Sequence, residues 1–200
     1  MKKIALALVL VIFPVAAHAE AAIAKCDLEG YVDDPDPKGT NLRGGPSATA
    51  PVIGHLPPQH ADADAQTDIG AEFTIVGSKD GWLEIEDATD GPFNQNPTFH
   101  FKGPAWISGA LVSFTIGSNK MYSAPSYKSA VVTQLSGDDA DGAWGPDSFT
   151  VKRVYGCSGH FADISGVTPT KIKKTFRGWI GRTCSNQVTT CDPGEEAHLP

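Results

Sequence analysis

The strongest constraint on the fold of this chain is an internal repeat with a constant offset of 79 residues. Four positions in the first half are spaced by 4, 6 and 4 residues, and the second half repeats these spacings: Leu42, Pro46, Val52 and Leu56 are matched by Met121, Pro125, Val131 and Leu135. The same offset relates a later segment, in which Gly77, Trp82, Glu84 and Ile85 are matched by Gly156, Phe161, Asp163 and Ile164. The repeat predicts two copies of one structural unit.

The repeat continues to the end of each copy with a changed offset. The Trp-Ile pair at 106–107 is matched at 179–180, an offset of 73, so the first copy has six extra residues between Asp87 and Trp106. The surrounding segment 89–104 is rich in Asn, Pro and Gly. Because these residues favour turns, the segment is predicted to be an extended loop.

Within each copy, the local patterns are those of antiparallel strands. Residues 73–76 are β-branched or aromatic, 79–81 read Lys-Asp-Gly, and 82–86 alternate apolar with polar side chains, which predicts a hairpin with one buried face. Residues 149–155 and 161–164 repeat this hairpin in the second copy. No window of a dozen residues has a clean apolar period of 3.6. We therefore expect an all-β protein made of two small barrels in tandem.

The first nineteen residues have the pattern of a secretory signal peptide, 1–19. Lys2 and Lys3 precede an apolar run over residues 4–17, and residues 17–19 (Ala-His-Ala) have the small-x-small form of a cleavage site. The run is shorter than the roughly twenty residues that a helix needs to span a bilayer, so a retained anchor is the weaker interpretation. We expect a mature chain that begins at Glu20, has no integral membrane segment and is periplasmic or secreted.

The chain has four cysteines, Cys26, Cys157, Cys184 and Cys191. An even number in an exported chain predicts disulfides, and the wide spacings do not resemble a zinc-ligand cluster. Three pairings are possible. Cys184 with Cys191 is favoured because the polar residues 185–187 between them read as a turn, which leaves Cys26 with Cys157.

Charge is distributed unevenly along the chain, which has 16 basic and 23 acidic residues and a net charge of −7. Residues 20–117 have 5 basic and 15 acidic side chains, whereas residues 118–200 have 9 and 8. An acidic half beside a near-neutral half favours two domains, a first at 20–117 and a second at 118–192, with a C-terminal tail at 193–200.

Nucleic-acid binding is not expected from this charge distribution. A basic face that could displace counterions from phosphates is missing apart from one cluster: Lys171, Lys173, Lys174, Arg177 and Arg182. This cluster could bind an anionic polymer, but the favoured interpretation is that these basic side chains lie on a solvated face of a loop and a strand.

Four segments of the first copy form an ordered series: residues 41–47 (NLRGGPS), 51–56 (PVIGHL), 76–85 (VGSKDGWLEI) and 103–107 (GPAWI). Their order and spacing resemble the N-L-R-x-G-P-S, V-I-x-x-L, G-W-x-x-I and G-W-I progression of the bacterial SH3 (SH3b) domain family. The second copy resembles the same family with two departures, Tyr-Ser-Ala-Pro-Ser at 122–126 and Phe161 in place of the hairpin Trp. The resemblance covers residues 26–185. It implies two SH3-like barrels in tandem, each with five to six strands and a noncatalytic role in binding cell-wall peptides or proteins.

A catalytic alternative concerns Cys157, because Cys-Ser-Gly at 157–159 resembles the nucleophile segment of NlpC/P60 cell-wall peptidases, which often accompany SH3b domains. Such a nucleophile needs a lowered pKa, usually from a helix N-terminus and a nearby His. Here Gly156 replaces the Asp of that motif, no helical pattern follows, and the repeat aligns Cys157 with Ser78 at a strand end. The sequence therefore predicts no enzyme.

Metal and cofactor sites are not expected either. Three acidic segments, at 33–37, 60–64 and 137–142, are better explained as solvated loops than as cation sites, since the last lacks the acidic residues that a calcium loop needs at its first and twelfth positions. No glycine-rich phosphate loop is present in the sequence.

The predicted ligand-binding residues are Tyr31, Asn41, Arg43, Trp82 and Tyr122. The three rings offer rigid contact area, while the two polar side chains could donate hydrogen bonds to a peptide carboxylate. Equally, the polar pair could only cap the turn before Pro46. Other aromatic residues are expected in the core: Trp106, Phe161 and Trp179.

Taken with the resemblance, these features predict an exported, noncatalytic binding module that recognises peptidoglycan peptides or an envelope protein. The alternative is a structural or inhibitory partner, in which the acidic first unit docks onto a basic envelope protein. A Cys-dependent cell-wall peptidase is the third hypothesis.

Overall fold

The computed structural model describes residues 22–62, 67–90, 98–139, 142–188 and 191. Within these ranges, every regular element is a β-strand except a short 3₁₀ turn at Pro146–Ser148. The protein is therefore all-β, as the hairpin patterns predict.

The first half of the chain contains eleven strands within the described ranges: β1 (Ala24–Val32), β2 (Thr40–Arg43), β3 (Val52–Leu56), β4 (His60–Asp62), β5 (Thr67–Ile69), β6 (Glu72–Lys79), β7 (Trp82–Thr89), β8 (Phe99–Phe101), β9 (Ala105–Ser108), β10 (Val112–Ser113) and β11 (Thr115–Ile116). The second half continues with β12 (Lys120–Tyr122), β13 (Val131–Gln134), β14 (Gly137–Asp139), β15 (Gly142–Trp144), β16 (Thr150–Ser158), β17 (Phe161–Val167), β18 (Thr175–Gly181) and β19 (Thr183–Cys184).

The two halves form sheets with the same strand order. The first half gives β6-β7-β9-β2-β3, and the second gives β16-β17-β18-β12-β13. Counterpart strands lie at the positions that the offsets of 79 and 73 predict, to within a few residues at the strand ends. The repeated sequence units therefore have one topology, and we call them the first and the second unit.

The two sheets also share their register. Leu83 pairs with Ile107 in the first sheet, and Ala162 pairs with Ile180 at the equivalent place in the second. Register shifts, or β-bulges, recur at equivalent places in both hairpins: 72–74 and 75–77 in β6, and 151–153 and 154–156 in β16. Because a slip of one residue would turn core side chains to the other face, the matched register buries the same positions in both units.

Alternate positions of these strands form the hydrophobic core. The counterpart residues on the central strands are fully buried in both units: Leu83, Ile85 and Ile107 in the first, and Ala162, Ile164 and Ile180 in the second. The buried residues of the two units belong to one connected cluster. Since burial of apolar surface is the main stabilising contribution to folding, this shared core couples the stability of the two units.

Neither sheet closes through hydrogen bonds into the expected barrel. In the part of the chain that the structure describes, both strand paths are open. The first path extends instead of closing because β1 pairs with the edge of β6, and β10 pairs with β1 in turn. In the second unit, the outer edge of β16 approaches β1, where Cys26 and Gly159 form an isolated bridge.

The two units are joined covalently by a disulfide between Cys26 in β1 and Cys157 in β16, whose Cα atoms are 5.7 Å apart. Beside it, the Gly159 amide donates to the carbonyl of Lys25 at 2.9 Å, and the Asp27 amide donates to the carbonyl of Gly159 at 3.0 Å. Gly159 has a φ of +55°, a left-handed conformation that glycine adopts without a steric penalty. The turn after β16 is thereby held against β1.

Ser78 and Cys157, which the repeat makes equivalent, contact each other at this junction. The Cys157 amide donates to Ser78 Oγ at 2.9 Å, and Ser78 Oγ donates to the Cys157 carbonyl at 3.4 Å. Both residues are buried. The junction therefore brings together corresponding parts of β6 and β16.

The C-terminal clasp, residues 183–188 with Cys191, extends from the second unit onto the first. Its strand β19 pairs with β11, and a disulfide joins Cys184 to Cys191 with a Cα–Cα distance of 6.1 Å. Thr115 Oγ1 donates to the carbonyl of Asn186 at 2.6 Å. The two disulfides are the pairs that the sequence analysis favours.

The segment 89–104 is not an extended loop throughout. Its described part contains β8, which pairs with β7 through Ala88 with Phe101 and Thr89 with Phe99. Aromatic residues at 99 and 101 allow strand pairing despite the neighbouring turn residues.

Some sequence predictions concern residues outside the described ranges, namely the signal peptide at 1–19 and the tail at 193–200. Among the described residues, no helix is long and apolar enough to cross a membrane.

Candidate functional site

A cleft of about 400 Å³ lies at the junction of the two units. Three aromatic or aliphatic residues in its lining belong to the buried core: Phe114, Phe149 and Val151. The rest of the lining is mainly polar. Both units contribute side chains, so the cleft exists only where they are held together.

The polar lining contains three carboxylates. Asp33 follows β1, Asp68 lies in β5, and Asp147 lies in the 3₁₀ turn before β16. The described lining residues include no Lys, Arg or His. A cleft lined by charges of one sign concentrates ligands of the opposite sign, so this cleft favours cationic groups.

Two of these carboxylates are repeat counterparts, because Asp68 and Asp147 are separated by the 79-residue offset. Both side chains are exposed. Like the Ser78–Cys157 contact, this pair shows that corresponding segments of the two units meet at the junction. The negative character of the cleft is thus supplied by the same position of each copy, with Asp33 in addition.

Tyr31 lies at the end of β1, where it pairs with Ser113 of β10, and its ring lines the cleft. Burial raises the pKa of the Tyr31 hydroxyl, an effect that hydrogen bonds with Ser113 and Thr115 partly oppose. The nearby carboxylate of Asp33 raises this pKa further. The hydroxyl is therefore protonated at neutral pH, and a protonated hydroxyl can both donate and accept a hydrogen bond.

Gln187 of the C-terminal clasp reaches across the junction to the first unit. Its Nε2 donates to the carbonyl of Gly70 at 2.9 Å, and the Gly70 amide donates to its Oε1 at 2.8 Å. The side chain therefore satisfies a backbone donor and acceptor in the way that a neighbouring strand would. Because Gln187 also lines the cleft, this contact fixes one wall.

Glu72 lies beside this contact, and Gln187 Nε2 donates to its Oε1 at 3.3 Å. Burial raises the pKa of Glu72, while hydrogen bonds with Gln187 and Ser185 partly oppose the shift. The negative charge of Glu29 raises the same pKa. Protonation of this carboxyl group beside the cleft is thus favoured in the folded protein.

Of the five predicted ligand-binding residues, Tyr31 lines the cleft and the other four do not. Arg43 lies on β2, where its Nη1 donates to the carbonyl of Ala50 at 2.7 Å. Asn41 lies on the same strand, with its Oδ1 3.4 Å from His55 Nδ1. The Arg43 contact matches the turn-capping alternative, and a direct role of either residue in ligand binding stays a prediction.

Trp82 and Tyr122 are also apart from the cleft. Trp82 is partly exposed at the start of β7, where it pairs with Lys79 and Ser108. Tyr122 is only 3% exposed and packs edge-on against Tyr127, with ring centroids 5.5 Å apart. A ligand on this face would meet the neighbouring rings before that of Tyr122.

The aromatic residues expected in the core have different exposures. Trp106 is buried, whereas Phe161 and Trp179 are half-buried. The Phe161 ring packs against Tyr127, with centroids 4.7 Å apart. All three lie opposite the main core positions on their strands, so neighbouring loops determine how far each one is covered.

The sulfur of Cys157 is bonded to that of Cys26, so it is not a thiolate in this structure. The residue is also only 2% exposed. Among the described residues, no group of three or more His, Cys, Asp and Glu side chains is placed to hold a metal ion.

The residues predicted to bind a ligand do not include Asp68 or Asp147, while Asp33 is predicted only as part of an acidic loop and Gln187 only as part of the turn at 185–187. One signal was available, since the repeat aligns Asp68 with Asp147. No spacing pattern links Gln187 to Gly70, which lies 117 residues away. No family model, curated protein or solved structure matches this chain.

Proposed function

We propose that the protein is an exported, noncatalytic binding module, formed by two SH3b-type units, that binds a cationic peptide in the cleft between them. The observation that carries this proposal is the arrangement of the cleft at the junction. Asp33, Asp68 and Asp147 line it together with the protonated hydroxyl of Tyr31. Such a set recognises an amine and leaves hydrogen-bonding groups for a peptide backbone.

The cleft is suited to binding because its walls are held in place before a ligand arrives. The Cys26–Cys157 disulfide joins the units, and Gln187 bridges the clasp to Gly70. A preorganised site loses less conformational entropy when it binds. Tyr31 and the buried floor residues add rigid contact area.

Cell-wall peptides fit this chemistry because they contain a diamino acid, whose free amine can meet the carboxylates. Neutral hydrogen-bonding groups also line the cleft: Gln59, Ser113, Thr115, Ser148 and Thr150. The SH3b resemblance points to the same ligand class, and the matched strand order of the two units supports a tandem module. Two disulfides support a location outside the cytoplasm, in the periplasm or secreted.

The runner-up function is an acidic partner of a basic envelope protein. It is favoured by the charge of residues 20–117, which have 5 basic and 15 acidic side chains. Association through such a surface would be steered by long-range electrostatics and would weaken strongly with added salt. Binding in a defined cleft depends more on local hydrogen bonds and less on salt.

Calorimetric titration with a soluble, uncrosslinked cell-wall peptide tests the proposal. We expect the wild type to bind the peptide with its free amine and to lose at least about tenfold in affinity, roughly 1.4 kcal/mol, when that amine is acetylated. Asp68→Asn with Asp147→Asn should cause a similar loss, because both carboxylates line the cleft.

The matched control is Asp87→Asn with Asp138→Asn, which removes the same formal charge from exposed positions outside the cleft lining. This control should retain wild-type affinity at 150 mM salt. Equal losses in the two double variants would favour the general acidic surface, and tight binding of a basic wall hydrolase only at low salt would favour the partner function. Failure to bind any wall peptide, or binding unaffected by acetylation, would refute the proposed ligand.

A further inference from the structure

The second unit contains a concentration of positive charge that the cleft does not use. Residues 150–182 have seven basic side chains and one acidic side chain, whereas the other residues of the chain have nine and 22. All seven lie in or next to the β16–β17–β18 hairpins: Lys152, Arg153, Lys171, Lys173, Lys174, Arg177 and Arg182. The molecule therefore has a basic region on an otherwise acidic chain.

The tip of the β17–β18 hairpin, residues 168–174, presents an apolar side chain within this basic region. Ile172 is 79% exposed, more than any other described large hydrophobic residue. Lys171, Lys173 and Lys174 are exposed on either side of it. Single exposed apolar residues are common on protein surfaces. Ile172 differs from these because it lies at the end of a hairpin and is flanked by Lys171 on one side and by Lys173 and Lys174 on the other.

Hydrogen bonds fix the conformation of this tip. Thr168 is buried, and its Oγ1 accepts from the amide of Lys174 at 3.0 Å. The Thr168 amide donates to the Lys174 carbonyl at 3.0 Å, which closes the base of the loop. Thr170 Oγ1 donates to the carbonyl of Ile172 at 2.8 Å. Ile172 is thus presented to solvent by an ordered loop.

A basic aromatic face continues from the tip along the sheet. The Arg177 guanidinium stacks over the Tyr155 ring at 3.7 Å from its centroid, and that of Arg153 lies 5.4 Å from the same centroid. Asp163 is the one acidic residue of this region, and it accepts from Arg177 Nη2 at 2.8 Å. Positive charge and an amphipathic ring therefore lie behind the apolar tip.

We propose that this tip docks onto the surface of an anionic phospholipid bilayer, with Ile172 in the interfacial apolar layer and the lysines at the lipid phosphates. Charge complementarity selects the anionic partner, since each Lys or Arg near such a surface contributes to binding. The exposed Ile172 favours a bilayer over a hydrophilic anionic polymer, because only the bilayer offers it an apolar medium. Lysine stems can lie along the apolar boundary while their ammonium groups stay in water.

Co-sedimentation of the full chain, expressed for export, with phosphatidylglycerol and phosphatidylcholine vesicles tests this proposal. We expect binding to the anionic vesicles only. Lys171→Gln with Lys173→Gln should weaken it roughly 25-fold, or about fivefold for each lysine. Ile172→Ser should weaken it about tenfold, because the serine gains nothing from the apolar layer.

Two control variants match these changes elsewhere on the surface. Lys25→Gln with Lys38→Gln removes the same charge from exposed positions of the first unit, and Val132→Ser removes an exposed aliphatic residue from β13. Both should change vesicle binding less than about twofold, and all variants should keep the wild-type melting temperature. Absence of binding to anionic vesicles would overturn the proposal. So would unchanged binding by Ile172→Ser, which would indicate that charge alone acts and that an anionic polymer is an equivalent partner.

Discussion

The two units have the same core and register but different outer faces. At exposed positions the first unit has His55 and Asp80, whereas the second unit has Gln134 and Gly159 at the counterpart positions. Core positions are constrained by burial, since a change of size there leaves a cavity or a clash. Outer positions are free of this constraint. The two copies therefore share a buried scaffold, while their charge differs, with 5 basic and 15 acidic side chains in residues 20–117 against 9 and 8 in residues 118–200.

Removal of a disulfide should cause the largest change in the unfolding free energy, and it tests how far the two units depend on each other. The Cys26–Cys157 bond closes a separation of 131 residues and joins the units, whereas the Cys184–Cys191 bond closes only 7. In the chain-entropy view, losing the first should cost about 5 kcal/mol of unfolding free energy and losing the second about 2.5 kcal/mol. Urea unfolding of the two Cys→Ser double variants measures both costs. Equal costs, or a larger one for the short loop, would contradict this expectation.

Equivalent core substitutions test whether the two units unfold together. Ile85→Ala and Ile164→Ala remove counterpart side chains that are fully buried. Each should lower the unfolding free energy by about 3 kcal/mol, because a cavity replaces packed methyl groups. Since both residues belong to one connected core, each variant should retain a single transition, followed by fluorescence and circular dichroism. Two separate transitions would show that the units have independent cores.

Glu72 should make the stability of the protein depend on pH, whereas Val151, its counterpart in the second unit, has no titratable group. Burial raises the pKa of Glu72, so the folded protein binds this proton more tightly than the unfolded chain does. The stability contributed by Glu72 is therefore fully present below its ordinary pKa of 4.5 and is lost as the pH rises through the raised value. Glu72→Gln should flatten the fall in melting temperature over this range. A pH profile identical to that of the wild type would contradict the assignment.

The smallest expected effect on stability concerns the Asp163–Arg177 ion pair of the second unit. The repeat aligns Asp163 with Glu84 and Arg177 with Pro104, so the first unit has no equivalent pair. Because the Arg177 side chain is 57% exposed, a double-mutant cycle of Asp163→Asn and Arg177→Gln should give a coupling of about 0.2 to 1 kcal/mol. A coupling well above 1 kcal/mol would indicate a stronger structural role than an exposed pair normally has.

The elements that could be predicted from the sequence are those encoded by local spacing. The apolar alternation around Leu83 and Ile85 predicted the hairpin and its buried face, and the 79-residue offset predicted its second copy. The paired cysteines could be anticipated because the predicted signal peptide makes disulfide bonds the expected state of an even number of cysteines. In each case, the signal lies in residues that are close in sequence or repeated at a fixed distance.

The cleft could not be predicted, because it depends on contacts between distant segments. Residues 24–32 precede the repeat, and nothing in their spacing indicated that β1 would pair with β6 and extend the sheet beyond a barrel. Likewise, Gln187 binds the backbone of Gly70, and any residue can supply those backbone groups. The Asp68–Asp147 match was visible in the sequence, but the match alone does not show that the two carboxylates line the same cleft.

The order of the cysteines along the chain has a consequence for oxidation during synthesis. The disulfides join the first cysteine to the second and the third to the fourth. In a chain that enters an oxidising compartment with its N-terminus first, Cys157 is the first partner that Cys26 meets, and Cys184 and Cys191 follow as a pair. In such a chain, successive oxidation in order of arrival yields the observed pairs.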